Sequence, residues 1–257
     1  MTNFFKKAVV MTDVHWGKKN NDRQHNIDCE NFIQWSIEEG QKFGAETYIC
    51  LGDWHDNRKS LNISTMNYSL SSMEAISNNF EKFVLILGNH DLPYKEKREI
   101  NSVEFGRNIE NLTLIKNILV EGNCAFVPWL VGDEYQQLPE IKAKYIFGHF
   151  ELPHFLMNAM VEMPDVGKIN IDNFQPADYI FSGHFHKRQF KKNQNGTEII
   201  YIGNAFPHNF SDAWDDERGI MLLEWDKKPV FKTWQDQPTY KTLKFSQLLQ
   251  NPEKYLK

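Results

Sequence analysis

The sequence predicts an α/β fold with a layered core, on three observations. Short apolar runs stop at Asp, Asn or His, four of the five straight after a Gly. Stretches of helical periodicity separate the first of these runs. A strand-rich texture takes over after Pro176. The runs are residues 8–12 before Asp13-Val14-His15, 48–51 before Gly52-Asp53, 83–87 before Gly88-Asn89-His90-Asp91, 145–147 before Gly148-His149, and 179–182 before Gly183-His184-Phe185-His186. A β-prone run closed by Gly reads as a buried strand ending in a tight turn. Gly lets the backbone turn sharply and brings the next side chain to the strand's end. In open α/β sheets such ends are where sites form.

The elements between follow in order. Residues 21–43 carry Ile27, Phe32, Ile33, Trp35 and Ile37 among polar neighbours, which predicts an amphipathic helix ended near Gly40 or Gly44. Residues 63–80 place Met66, Leu70, Met73, Ile76 and Phe80 at steps of three and four, one face of a second helix. Residues 101–109 predict a further short helix. Residues 197–202, 219–225 and 230–234 read as strands, with Asn195-Gly196 and Asp226-Lys227-Lys228-Pro229 as turns. Residues 245–257 predict a short terminal helix. No repeat or linker interrupts the chain, so the expected organisation is one domain over residues 1–244 and a short tail over 245–257.

Composition narrows the class. With 257 residues, 41% apolar and 14% aromatic, the chain can bury a substantial core and is not of disordered composition. Cys29, Cys50 and Cys124 are widely spaced and odd in number, which gives neither a disulfide framework nor a zinc knuckle and suits a reducing compartment. No signal peptide or bilayer-length apolar stretch is visible. The expected location is the cytoplasm, bacterial or, for a phage-encoded chain, that of the host. The net charge of −5 argues weakly against a generic nucleic-acid coat. Two bound divalent ions would reverse that balance at the site, and basic clusters such as Lys18-Lys19 and Lys187-Arg188 flank the strand-end motifs.

The strand ends collect Asp13, His15, Asp53, Asn89, His149, His184 and His186. Any one of these motifs alone is commonly a turn or a loop hydrogen bond; the five together, each behind an apolar run, point to metal chemistry. Carboxylate, imidazole and one amide suit manganese, iron or zinc better than magnesium or calcium, and the absence of thiolates disfavours a structural zinc site. The set exceeds what one tetrahedral ion needs and fits two divalent ions roughly 3.5–4 Å apart with a bridging carboxylate. Such a pair clamps a phosphate and makes hydroxide available near neutral pH, which points to hydrolysis of a phosphoester. Manganese is the expected metal, with iron, zinc and magnesium as alternatives.

The order Asp-x-His, Gly-Asp, Gly-Asn-His-Asp, Gly-His, Gly-His-x-His resembles the calcineurin-like metallophosphoesterase family over residues 9–204. The resemblance implies two packed mixed β-sheets flanked by helices. It also implies one ion held by Asp13, His15 and His186, a second by Asn89, His149 and His184, and Asp53 between them. His90 would protonate the departing oxygen and Asp91 would orient His90.

Further residues resemble the nuclease subunits of the SbcCD type, including T-even phage recombination endonucleases: Asp13-Val14-His15-Trp16-Gly17, Gly52-Asp53-Trp54-His55-Asp56 with Arg58, Asn89-His90-Asp91-Leu92 with Tyr94-Lys95, Pro128-Trp129, Gly148-His149-Phe150-Glu151-Leu152, Tyr201-Ile202-Gly203 and Arg218-Gly219. This implies a DNA exonuclease or endonuclease of repair or recombination, with Asp56 and Arg58 toward the substrate. It also implies a homodimer, through the face of Met66, Leu70, Met73 and Ile76, with packing of that face on the chain's own core as the plain alternative, and an SMC-like ATPase partner of the SbcC type. Longer relatives continue into a capping domain and ATPase-binding helices, for which residues 245–257 are too short. Asp56 stands where some relatives have His, which leaves the exonuclease–endonuclease balance open. Trp16, Trp54 and Tyr94 are candidates to stack nucleic acid, or plain core and rim aromatics. A small-substrate phosphodiesterase, for example one acting on cyclic nucleotides, stays open as the alternative. A Ser/Thr protein phosphatase fits less well, because Asn57-Arg58 and Asp91 depart from that branch, and a non-catalytic scaffold fits least, because no ligand is missing.

Overall fold

The computed structural model describes residues 3–157 and 161–255. Two six-stranded sheets form its centre. The first holds β1 (Lys7–Met11), β2 (Thr47–Cys50), β3 (Lys82–Ile86) and β4 (Leu112–Ile115) in parallel, with β11 (Gly219–Glu224) antiparallel beside β1 and β12 (Val230–Thr233) antiparallel beside β11, in the order β12-β11-β1-β2-β3-β4. The second runs β5 (Leu119–Glu121), β6 (Cys124–Val127), β7 (Tyr145–His149), β8 (Tyr179–Gly183), β10 (Glu198–Tyr201) and β9 (Gln189–Lys192). Its four inner strands are parallel and its two edges antiparallel. The predicted α/β class holds, as two mixed sheets flanked by helices.

The side-chain alternation of a strand explains why the inner strands are apolar on both faces. Val10, Ile49, Leu51, Val84 and Ile86 point between the sheets and meet Phe126, Phe147, Phe181 and Ile200. Val9, Met11, Tyr48, Cys50, Phe83 and Leu85 point outward under α1 (Arg23–Phe43) and α2 (Ile63–Asn79). Ile146, Ile180, Ile199 and Tyr201 form a third apolar layer under the loops that cover the second sheet. Helix α1 starts where Asp22 accepts the His25 N–H at 3.0 Å and stops at Gly44, whose φ of 75° ends it in the left-handed cap. Gly40 lies inside α1, where a Cβ would sit 2.5 Å from Val9. Helix α2 is capped by Asn62 on the Thr65 N–H at 2.7 Å.

The structure decides four local expectations. Residues 101–109 form only a single-turn 3-10 helix, Glu104–Asn108. Met73 and Ile76 are fully buried in the core, so the face predicted to pair with a second copy is not free as a whole; Met66 is exposed and Leu70 half-buried. Trp16 and Trp54 are buried, the latter donating to Ser69 Oγ at 2.7 Å, so neither ring is presented for stacking, whereas Tyr94 is exposed. The terminal segment forms α3 (Phe245–Gln250) and α4 (Pro252–Tyr255), and the last two residues of the predicted helix lie outside the described residues. All three cysteines are buried and free.

Candidate metal centre

The C-terminal ends of β1, β2, β3, β7 and β8 open to one place. The loops after β1 and β2 are zipped together by Asp13 N–H to Gly52 O (3.0 Å), His15 N–H to Asp53 O (3.1 Å) and Trp16 N–H to Trp54 O (2.8 Å). Asp13, His15, Asp53 and His184 all have positive φ, between 52° and 88°. Non-glycine residues held there cost on the order of 1–3 kcal/mol each and cluster where a site dictates side-chain direction. Gly88 and Gly183 permit the convergence. A Cβ on Gly88 would lie 2.2 Å from Asp53 Oδ1, and one on Gly183 would lie 2.1 Å from Thr12 Oγ1 and 2.9 Å from Asp13 Oδ2.

The predicted residues come together as two groups around Asp53. On one side, His15 Nε2 lies 3.2 Å from His186 Nε2, 3.6 Å from Asp13 Oδ1 and 3.7 Å from Asp53 Oδ2. On the other, His149 Nε2 lies 3.0 Å from Asn89 Oδ1 and 3.4 Å from Asp53 Oδ1, and His184 Nδ1 lies 2.9 Å from the same Asn89 oxygen. The two oxygens of Asp53 thus face different groups.

Neighbouring hydrogen bonds decide which atoms are left to bind. Asp13 Oδ2 accepts from Thr12 Oγ1 (2.5 Å) and His184 N–H (3.0 Å), while Asp13 Oδ1 is buried with no hydrogen-bond partner. The His149 Nδ1–H donates to Leu51 O at 2.7 Å, which leaves Nε2 for a ligand. His184 Nε2 stands 3.3 Å from Glu151 Oε1, so that carboxylate orients the ring with Nδ1 inward. The ion-pair neighbours of Asp13 and Asp53 among the described residues are imidazoles, which are charged only when protonated. An orphaned carboxylate oxygen, two imidazole nitrogens facing each other and two buried carboxylates without a fixed cation fit divalent metal ions.

The protonation states agree. Burial alone would lower the His15 pKa, but Asp13 and Asp56 beside it outweigh burial and raise it to about 9. Burial likewise opposes charge on His149, and Asp53 outweighs it, again to about 9. Burial would raise Asp53, yet His149 and His15 hold it well below the usual carboxylate range. At His15 and His149 the buried carboxylates thus favour the protonated imidazole when no metal is bound, whereas burial and His15 lower the His186 pKa to about 4. Ions must displace the protons on His15 and His149, so metal affinity is expected to climb with pH up to about 9 and to weaken by about tenfold per unit below it for each proton released. Titrations of manganese binding at pH 6.5 and 8.5 check this; equal affinities at both would contradict imidazole ligation.

The remaining predicted residues sit around the centre in altered relations. Asp91 does not hold the His90 ring: its carboxylate accepts Gly88 N–H (2.9 Å) and His55 N–H (3.1 Å), which shapes the β3 turn. Burial and the nearby Asp53 charge raise the Asp91 pKa to about 7. His90 is instead fixed by its Nδ1–H on Asp56 O at 2.7 Å, and its backbone N–H donates to Asp53 Oδ1 at 2.7 Å. The Asp56 carboxylate, expected toward substrate, is taken up by Lys18 Nζ at 2.7 Å and stands 3.3 Å from His15 Nδ1. Arg58 is half-buried; the His90 pKa is lowered by burial first, then by His15, and least by Arg58. Sequence reasoning missed two residues. Glu151 was read only as part of a motif. His208, buried beside His15 and His186, was not read at all; its one signal is that it is a histidine two residues after Phe206 in a stretch with no other assignment.

Five strand ends deliver two facing groups of His, Asp and Asn side chains on either side of Asp53, a buried cluster that fits a metal site. The calcineurin-like phosphoesterase family profile matches residues 6–188, and the chain belongs to that family. Exonuclease subunit 1 of Enterobacteria phage T4 is 26% identical over 227 residues, covering 85% of this chain; the chain spans 64% of that relative's length. A dimetal phosphatase from Danio rerio shares the fold, with a TM-score of 0.56 at 12% identity, over 88% of this chain and 95% of that one. No helix among the described residues is long and apolar enough to cross a membrane.

Proposed function

We propose that this chain is a two-metal DNA nuclease of the SbcD type, which hydrolyses phosphodiester bonds as an exonuclease or endonuclease in repair or recombination. The observation that carries the hydrolytic part is Asp53, whose two oxygens face His15 at 3.7 Å and His149 at 3.4 Å. The DNA part is supported by the likeness to a phage exonuclease subunit over 85% of the chain. That likeness to a protein named as a subunit also supports a partner subunit, proposed here as an SMC-like ATPase; a second copy of the chain is proposed on the sequence resemblance alone.

Asp13, His15 and His186 would hold one ion, Asn89, His149 and His184 the other, and Asp53 both. Two divalent ions, manganese by preference, supply neutralisation of the phosphate charge and a water of lowered pKa when bound. The chain's own residues do the rest. His90, with Nδ1–H committed to the Asp56 carbonyl, takes a proton from solvent at Nε2, becoming an imidazolium against the burial that lowers its pKa, and delivers that proton to the departing sugar oxygen. Arg58 offers a positive charge beside His90 for a flanking phosphate. Asp56 acts through His15 and Lys18 rather than on substrate. Asp91 keeps the Gly88 turn in place and so sets the position of Asn89.

One observation keeps the small-substrate alternative in view. A cavity of about 320 Å³ opens beside His149, lined by Trp129, Tyr135, Lys95 and Lys168 among others. That is the scale of a small-ligand pocket, and it would suit a free nucleotide as well as the end of a strand. The test is a substrate panel with manganese: labelled duplex and single-stranded DNA beside bis-p-nitrophenyl phosphate and a cyclic nucleotide. The nuclease reading expects DNA degradation with a product ladder that reports polarity. Turnover confined to the small esters would move the function to a small-substrate phosphodiesterase.

A further inference from the structure

Beyond the residues of the family motifs, the described part of the chain brings one more metal-binding side chain to the centre. His208 is fully buried, and neither Nδ1 nor Nε2 has a hydrogen-bond partner. Buried polar atoms are ordinarily satisfied, so a buried imidazole with both nitrogens unpartnered has one available to bind a ligand. The direction of that ligand is given by its neighbours. His208 has ring centroids 5.3 Å from His15 and 5.4 Å from His186, and one ring nitrogen from each of the three lies within 4.8 Å of the others.

The position is built rather than incidental. The His208 backbone N–H donates to Asp212 Oδ2 at 2.8 Å, and Arg218, itself buried, stands 3.5 Å from Asp212 and 2.9 Å from Asp215. At the other end of the loop, Asn204 N–H donates to His186 O at 3.0 Å, which ties this segment to the turn carrying His186. Phe206 packs against the His208 ring at 5.0 Å and His25 at 5.4 Å.

We infer that His208 is a third imidazole ligand of the ion held by Asp13, His15 and His186. The inference rests on the reading that those residues hold a metal. Its chemical consequence is an asymmetric pair. The first position gathers His15, His186 and His208 with Asp13 and Asp53, and the second gathers His149 and His184 with Asn89 and Asp53. Added imidazole favours zinc, iron or cobalt over manganese and magnesium, so the first position selects a borderline metal and the second accepts manganese more readily.

The experiment uses the full chain, stripped of metal and reloaded with Co²⁺, and proton NMR of the hyperfine-shifted imidazole N–H resonances. The expected spectrum has one resonance for each of His15, His149, His184, His186 and His208, and the His208→Gln variant loses one. In Zn²⁺ titrations, His208→Gln is expected to weaken one position about 10–100-fold, at least the effect of removing an outer partner of a ligand, while Mn²⁺ binding at the other position is unchanged. Resonances for the other histidines without one for His208, or equal Zn²⁺ affinities in both proteins, would overturn the inference and leave the two-metal reading standing. Absence of any bound Co²⁺ in the wild-type chain would overturn both. Because the wild-type spectrum counts the ligands by itself, a misfolded His208→Gln protein does not prevent the decision.

Discussion

Asp53→Asn is expected to strip the protein of both ions and of phosphodiester hydrolysis together. The substitution is nearly isosteric, and an amide oxygen can still accept the His90 N–H that Asp53 Oδ1 accepts at 2.7 Å. What is lost is the charge shared between His15 on one side and His149 on the other. Two metal ions contribute several kcal/mol to stabilising the charge of a phosphoryl transition state. Each 1.36 kcal/mol is tenfold in rate, so the loss is on the order of 10³-fold or more. The metal-free variant should melt lower than the metal-free parent, because His149 and His15 hold the Asp53 pKa well below the usual carboxylate range, so that its charge stabilises the metal-free fold despite raising the Asp91 pKa. Metal analysis, DNA cleavage and a melting curve check this. A variant that keeps two ions per chain would show that Asp53 does not bridge.

Gly183→Ala carries the second large effect. Gly183 ends β8 opposite His149 of β7. Its absent Cβ leaves room for Thr12 Oγ1 at 2.1 Å, Asp13 Oδ2 at 2.9 Å and His149 Nδ1 at 3.0 Å. None of these can retreat cheaply. Thr12 is hydrogen-bonded to Asp13, Asp13 Oδ2 also receives the His184 N–H, and His149 Nδ1 is committed to Leu51 O. A methyl group here should destabilise the fold by about 1–3 kcal/mol through overpacking. It should also cost metal, because the displaced atoms belong to both ligand groups. Near-parental melting and metal content in Gly183→Ala would contradict the packing described for the centre.

The same glycines explain why so much of the centre was legible in the sequence. A parallel strand buried on both faces is an unbroken apolar run, and a Gly at its end allows a polar side chain to turn into the site. β1, β2, β3, β7 and β8 each carry that pattern, except that Met11-Thr12 stands where the others have Gly. The edges were less legible. β9 is half-exposed, with charged Lys191 and Lys192, and β5 has only three residues. Yet the β5–β6 hairpin had a readable signal, since Gly122-Asn123 both take positive φ in its two-residue turn. Side-chain partners were not legible at all. Adjacency in sequence suggested that Asp91 holds His90, but the turn after Gly88 carries the two side chains to different partners, Gly88 and His55 N–H for one and Asp56 O for the other. His208 escaped because it lies in an irregular loop, where no periodicity or strand end marks it and only the tertiary anchoring by Asp212 and Arg218 gives it a direction.

The central claim is that this centre hydrolyses DNA phosphodiesters with His90 as the proton donor and the metal ligands intact around it. The most direct measurement is cleavage of labelled DNA by the parent and by His90→Ser, each with its bound metal counted. The account predicts that the parent cleaves and that His90→Ser keeps two ions per chain but loses about 10²–10⁴ in rate, the usual range for removing a general acid. Undiminished cleavage by His90→Ser would contradict the role given to His90, and metal-loaded parent protein that leaves DNA intact while hydrolysing small esters would contradict the nuclease itself.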